Sequence, residues 1–181
     1  MITVDSKNGL LRMALVALIA LALPGCFSRS DKKASCCGGT HQKTGVILAN
    51  VLDQAFFDDC HIPGSIHAPM DQYDTLSDEW SKDTPVVVYC SNYMCTASSS
   101  AAKKLKKKGF ENVMAYEEGI AGWFQAHEKD EESYPVEGPC TQAYLRAENA
   151  KPEGLVENEE VKSITSEELR ALLLEKGILQ K

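Results

Sequence analysis

Apolar positions along the chain fall into two regimes. Every residue from 13 to 23 is apolar, with Lys7 and Arg12 before the run and a polar stretch, 28–44, after it. The run is too short to span a bilayer comfortably, and basic residues ahead of such a run mark an export signal. The polar stretch carries Gly38-Gly39 and no apolar period, so it reads as a flexible tether. From Gly45 onward short apolar runs alternate with turn signals and helical periods, the alternation of an α/β domain with a parallel sheet. Residues 46–52 and 85–89 read as buried strands, 112–116 as a third, and 66–68 as a very short fourth. Helices are expected over 53–59, 71–81, 96–108 and 120–126. The 96–108 helix places Ala97, Ala101 and Leu105 on one face, with Lys103, Lys104, Lys106, Lys107 and Lys108 largely elsewhere and Gly109 as its stop. Lysines in a last helical turn suit the macrodipole, so this run is expected to be a solvated helix end.

Beyond Trp123 the chain turns acidic: residues 128–181 hold 13 acidic against 7 basic side chains. Order returns near the end, where Thr165 and Glu168 form a capping box, Leu169, Leu172 and Leu173 make a stripe, and Gly177 closes the helix. That helix needs a surface to cover. Composition adds little about fold: 181 residues, 44% hydrophobic and 25% charged, describe a globular protein with room for one domain and its appendages. Charge excludes more. With 26 acidic against 19 basic side chains and a net charge of −7, no field favours a nucleic-acid partner. Seven cysteines are too many to be incidental and too few to replace a core, so they carry chemistry or staples on an ordinary fold.

The apolar run ends Leu23-Pro24-Gly25-Cys26, which resembles the bacterial lipoprotein box. The resemblance implies removal of residues 1–25 and lipidation of Cys26, with 26–44 as the tether of a protein anchored to a membrane of the bacterial envelope. Such a protein faces the periplasm or the exterior, an oxidising space where disulfides are permitted. Ala20-Leu21-Ala22 offers a rival cleavage site of the small-x-small type.

The best chemical candidate is Cys90, at the end of the 85–89 strand and a short loop before the next helix. Sites in open α/β sheets form at the carboxyl ends of strands. A thiol there meets the positive end of the following helix, which lowers its pKa and favours the nucleophilic thiolate. Ser91, Asn92, Tyr93, Met94, Cys95 and Thr96 are positioned to curl around the sulfur. Position alone fits a buried strand-end cysteine equally well.

A family resemblance adds to this. Asp59-Cys60-His61-Ile62-Pro63-Gly64-Ser65-Ile66-His67-Ala68-Pro69 resembles the signature that opens the rhodanese-like domain, and Val87-Val88-Tyr89-Cys90 resembles its catalytic strand. Gly109-Phe110-Glu111-Asn112-Val113 and Tyr116-Glu117-Glu118-Gly119-Ile120-Ala121-Gly122-Trp123 resemble its closing motif in order and spacing. The likeness covers about residues 45–138 and implies a three-layer α/β domain, a central parallel sheet flanked by helices, followed here by an acidic helical extension over 139–181. It also implies a sulfurtransferase acting through a Cys90 persulfide, with no cofactor or metal. His61 and His67 are expected to shape the turn beside the site.

The chain departs from the family at several positions. Asn50-Val51-Leu52 stands where the family usually has Asp-Val-Arg, and Cys60 and Glu118 stand for glycines. The family's loop, six residues counting the cysteine, often carries Arg at its second and last positions and Gly in the middle; here these are Ser91, Cys95 and Tyr93. A loop of this length fits sulfur transfer, whereas the related phosphatases use a loop one residue longer ending in Arg. Without a loop cation, phosphatase activity is not expected and the dianion thiosulfate is expected to be a poor donor. The thiolate, cradled by backbone N–H groups, suits a persulfide or polysulfide donor and a small-molecule or protein thiol acceptor. Cys95 is a candidate resolving thiol, able to attack a Cys90 persulfide and release sulfide, or else a small residue filling the space of an arginine.

Two further function classes stay open. One is a non-catalytic binding module whose acidic extension meets a protein partner of unknown identity. The other is a thiol redox or metal-handling protein using Cys90 with Cys95, or Cys36 with Cys37 near His41. Cys60 and Cys140 are either buried singly or bridged. The 164–173 stretch resembles the helix that normally begins a rhodanese-like domain, a helix absent before Val46, and the C-terminal helix is expected to occupy that place.

Overall fold

The computed structural model describes residues 45–154 and 160–180. Cys26, Cys36, Cys37 and His41, and with them the signal, lipidation and tether expectations, lie outside the described residues.

Four strands form where apolar runs were expected: β1 (Ile47–Asn50), β2 (Ile66–His67), β3 (Val86–Tyr89) and β4 (Val113–Tyr116). A fifth, β5 (Lys162–Ser163), completes a parallel sheet of order β2-β1-β3-β4-β5. The helices are α1 (Gln54–Asp59), α2 (Tyr73–Asp78), α3 (Ala97–Lys107), α4 (Gly119–His127) and α5 (Ser166–Glu175), with a 3-10 turn at Ala143–Arg146. No helix among the described residues is long and apolar enough to cross a membrane.

The side-chain period of a strand sorts the core into two faces. Val87 and Tyr89 of β3 join Leu48, Tyr116, Trp123 and Phe124 on one face, while Val86, Val88 and Cys90 join Ala49, Ala101, Leu105 and Ala115 on the other. Strand β3 is buried along its whole length, as a central parallel strand covered by helices on both sides must be. Helices α2 and α3 therefore cover one face and α4 and α5 the other, giving three layers around the sheet.

The lysine-rich end of α3 does more than meet solvent. Lys104 Nζ lies 2.8 Å from Asp74 Oδ2 and Lys108 Nζ 2.9 Å from Asp78 Oδ1, so it is pinned to α2. The segment expected as an extension contributes Cys140, Leu145, Ile164, Leu169, Leu173 and Leu179 to the core shared with β1, β3 and α4. Thr165 caps α5 with Glu168 returning the bond, the expected capping box.

Candidate active site

The site loop starts where β3 ends. Cys90 follows Tyr89 directly, residues 91–96 turn, and α3 begins at Ala97 with Thr96 as its N-cap residue. The neighbouring β4–α4 turn holds the loop from below. Ile120 N–H donates to the Cys90 carbonyl and Ala121 N–H to the Ser91 carbonyl, both at 2.9 Å. Gly119 lets the two segments come this close: its φ is +62°, and a Cβ there would lie 2.6 Å from the Cys90 carbonyl oxygen. Only glycine tolerates both the left-handed backbone and the contact.

The loop's own N–H groups are turned away from Cys90. Tyr93 N–H donates to Asn149 Oδ1 at 3.2 Å, Met94 N–H to Asn92 Oδ1 at 3.1 Å, and Cys95 N–H to the Asn92 carbonyl at 3.0 Å. Asn149, which the sequence did not single out, also donates through Nδ2 to the Glu118 carbonyl at 2.8 Å, tying the site loop to the β4–α4 turn. Met94 projects from the loop tip and is 76% exposed.

Backbone N–H groups approach both sulfurs of the loop, that of Ser98 at Cys90 and those of Ala97 and Ser91 at Cys95. Cys90 is fully buried, its Sγ 3.1 Å from the Cys95 carbonyl oxygen and 3.3 Å from Ser98 Oγ. The neighbouring Cys95 thiol and its own burial push the Cys90 pKa up. Cys95 is half-buried and its pKa is lowered to about 5 by the Cys90 thiol beside it and then by the backbone N–H groups of Ala97 and Ser91, against the opposing effect of burial. The helix start aims its first N–H at residue 95, and the strand-end cysteine lies beneath, in the core.

Of the remaining site residues, Ser91 supports the Cys95 sulfur, Asn92 closes the turn, and Tyr93 faces a surface cavity of about 480 Å³ that Glu118, Asn149 and Lys151 also line. Burial and then Glu118 and Glu117 raise the Tyr93 hydroxyl, while Lys129 and Lys151 line the same cavity. His61 and His67 shape the turn as expected: His61 Nδ1 lies 2.8 Å from the Phe57 carbonyl and His67 Nε2 2.8 Å from the Leu52 carbonyl. The Tyr89 hydroxyl fixes the Pro63-Gly64 turn through Ser65 Oγ at 2.7 Å and Ile62 N at 3.2 Å.

A parallel sheet with a cysteine loop at the carboxyl end of its central strand defines an α/β domain with its candidate site at the strand end. The chain belongs to the rhodanese-like family, whose domain model matches residues 40–126. It is similar to the thiosulfate sulfurtransferase GlpE of Coxiella burnetii, 31% identical over 86 residues that span 48% of this chain and 78% of that protein. The GlpE of Tolumonas auensis is 32% identical over 82 residues, covering 45% and 76%. Among solved structures, the BH2092 protein of Bacillus halodurans shares 27% identity over 64% of this chain and 74% of that one, with a TM-score of 0.44. Family and relatives together support sulfur transfer as the general chemistry.

Proposed function

We propose that this protein moves sulfane sulfur from a persulfide-type donor to a thiol acceptor, with sulfur reaching Cys90 by way of Cys95. The observation that carries the reading is the placing of two thiols in one strand-end loop, Cys95 half-buried and Cys90 fully buried behind it with its Sγ 3.1 Å from the Cys95 carbonyl oxygen; the direction of the pair's shifts, down at Cys95 and up at Cys90, agrees with it. The Cys95 thiolate attacks the outer sulfur of R–S–SH, breaking the S–S bond and releasing the thiolate R–S⁻, which leaves as R–SH after protonation. Cys90 then takes the outer sulfur from Cys95, giving a Cys90 persulfide and a free Cys95 thiol. A thiol acceptor attacks that persulfide and restores Cys90.

Donor preference follows from charge. Ser91, Tyr93, Met94 and Thr96 bring no cation to the loop and Glu117 and Glu118 lie close by, which disfavours the thiosulfate dianion named for the relatives.

Intact mass under non-reducing conditions, after exposure to glutathione persulfide or to thiosulfate, tests both claims. The wild type and Cys90→Ala gain one sulfur from the persulfide and Cys95→Ala gains far less; thiosulfate loads none of them appreciably. Normal loading of Cys95→Ala overturns the order of transfer, and no loading of a wild type with free thiols overturns sulfur transfer itself in favour of a binding module.

The N-terminal pattern supports a second clause of the proposal, that the domain is tethered to a bacterial envelope membrane through lipid on Cys26. Incorporation of labelled fatty acid into the wild type in bacteria, and its loss in Cys26→Ala, is the expected result; equal labelling of both removes the anchor.

A further inference from the structure

Away from the site loop, a second pair of cysteines meets. Residues 137–142 pass alongside 59–61: His61 and Glu137 exchange backbone hydrogen bonds at 3.0 and 2.9 Å, and Cys140 N–H donates to the Asp59 carbonyl at 2.7 Å. The Asp59 carboxylate, 6% exposed, accepts from Thr141 N–H, the Thr141 hydroxyl and Gln142 N–H, fixing the strand crossing from both sides. At Gly138 the approach is tighter still, since a Cβ there would lie 2.4 Å from the Asp59 carbonyl oxygen. The register brings Cys60, fully buried, beside Cys140, 8% exposed, both in one core cluster, with Cys140 Sγ donating to the Gly138 carbonyl at 3.6 Å.

Cys140 is also the one non-glycine among the described residues with a positive φ, +50°. A side chain held in that conformation marks a place where the surroundings over-determine the backbone. Its sulfur borders a surface cavity of about 650 Å³ lined by Phe124, His127, Val136 and Arg146 and separate from the site loop. Cys140 is therefore the member of the pair that a small disulfide reaches first.

We propose that Cys60 and Cys140 form a disulfide that staples the 137–149 segment to the opening signature of the domain. The oxidant is a glutathione-type disulfide, R–S–S–R. The Cys140 thiolate attacks one of its sulfurs, the S–S bond breaks, one R–S⁻ leaves and takes up a proton, and a Cys140–S–S–R mixed disulfide forms. Cys60, its proton passing to solvent, attacks the Cys140 sulfur and expels the second R–S⁻. The two cysteines together lose two electrons and two protons, and R–S–S–R becomes two R–SH. Burial, with the Asp59 carboxylate adding to it, raises both thiols, and the Arg146 guanidinium, whose Nη1 donates to the Cys140 carbonyl at 3.2 Å, opposes that only in part. The staple closes the stretch that leads to Asn149, the residue bonded to the Tyr93 N–H of the site loop. It does not rest on the sulfur-transfer reading.

Trypsin separates the sulfurs, since residues 44–82 contain Cys60 alone, 130–146 contain Cys140 alone, and 83–103 hold Cys90 and Cys95. The full chain is incubated natively in oxidised glutathione and, in parallel, refolded in the same buffer from its reduced state. Free thiols are then alkylated and the chain is digested without reduction. The expected product in at least one arm is the 44–82 peptide joined to 130–146, absent from Cys60→Ala and Cys140→Ala. Recovery of the two peptides separately in both arms, or joined to the peptide of Cys36 and Cys37, overturns the proposal.

Discussion

At the scale of single residues, the chemistry turns on which sulfur carries the negative charge. Cys95 is lowered to about 5 and Cys90 is raised, a direction that favours thiolate at Cys95 over Cys90. Thiolate, the reactive form, is present above the lowered pKa and lost as pH falls through it. The rate of alkylation by iodoacetamide, followed by peptide mass, should therefore fall with a midpoint near pH 5 at Cys95, while Cys90 stays unmodified at neutral pH. Cys90→Ala removes the neighbour that contributes most to the lowering, so the midpoint at Cys95 should move upward. A midpoint near the ordinary thiol value in the wild type would place the thiolate elsewhere. This ordering was not legible in the sequence. Strand-end position and helix polarity pointed to the right loop, but how the N–H groups are shared between the two sulfurs depends on Asn92 and Asn149 taking those of residues 93–95, and Asn149 is distant in the chain.

At the scale of elements, the parts with a strong apolar period were legible and the polar ones were not. Strands β1, β3 and β4 each lie within the expected segment, because a central parallel strand is a continuous apolar run. Helix α2 is shorter than expected, starting at Tyr73 after a turn in which Gln72 N–H bonds to the Pro69 carbonyl. Strand β5 has no apolar signal at all: Lys162 and Ser163 are both exposed, and only the backbone pairing with Met114 and Ala115 makes them a strand. The 3-10 turn at Ala143–Arg146 is equally silent in the sequence, set by the distant carboxylate of Asp59 ahead of it. The glycine at the start of α4 shows how a motif residue becomes mechanical. Gly119→Ala forces a methyl against the Cys90 carbonyl oxygen and an alanine into left-handed backbone. The expected cost is roughly 2–5 kcal/mol by urea unfolding, the sum of backbone strain and overpacking. Transfer of sulfur from Cys95 to Cys90, read by which peptide carries the added sulfur, should fall more than loading of Cys95 does, because displacing residues 90–92 separates the two sulfurs. Unchanged stability would mean that the turn relaxes at no cost to the loop.

At the scale of the whole molecule, the C-terminal stretch is part of the domain rather than an appendage to it. The helix that resembles the family's opening helix here comes last; β5 takes the sheet edge beside β4 and α5 covers the face that holds Tyr116 and Trp123. Ser166 Oγ lies 2.7 Å from the Tyr116 hydroxyl and donates to Glu118, so the start of α5 is tied to the end of β4. Ile164, Leu169, Leu173 and Leu179 are all buried. At about 1.5–3 kcal/mol for each buried apolar side chain, their loss amounts to roughly 6–12 kcal/mol. That is comparable with the whole stability of an ordinary domain, about 5–15 kcal/mol. Deleting residues 160–181 should thus abolish cooperative unfolding rather than lower its midpoint by a few degrees. The chain's geometry also says how the segment could be moved without loss. Lys176, at the end of α5, packs beside Gly45, at the start of the described domain, with its Cδ 3.7 Å from where a Gly45 Cβ would sit. A circular permutant running from residue 160 to 180, through a short Gly/Ser linker, and on through 45–154 joins ends that are already neighbours. It should unfold cooperatively, load sulfur on Cys95, and keep a thermal midpoint near that of the parent, because it preserves every buried contact of α5. A permutant as unstructured by circular dichroism as the deletion would show that the order of the elements, and not only their packing, is needed for this sheet to form.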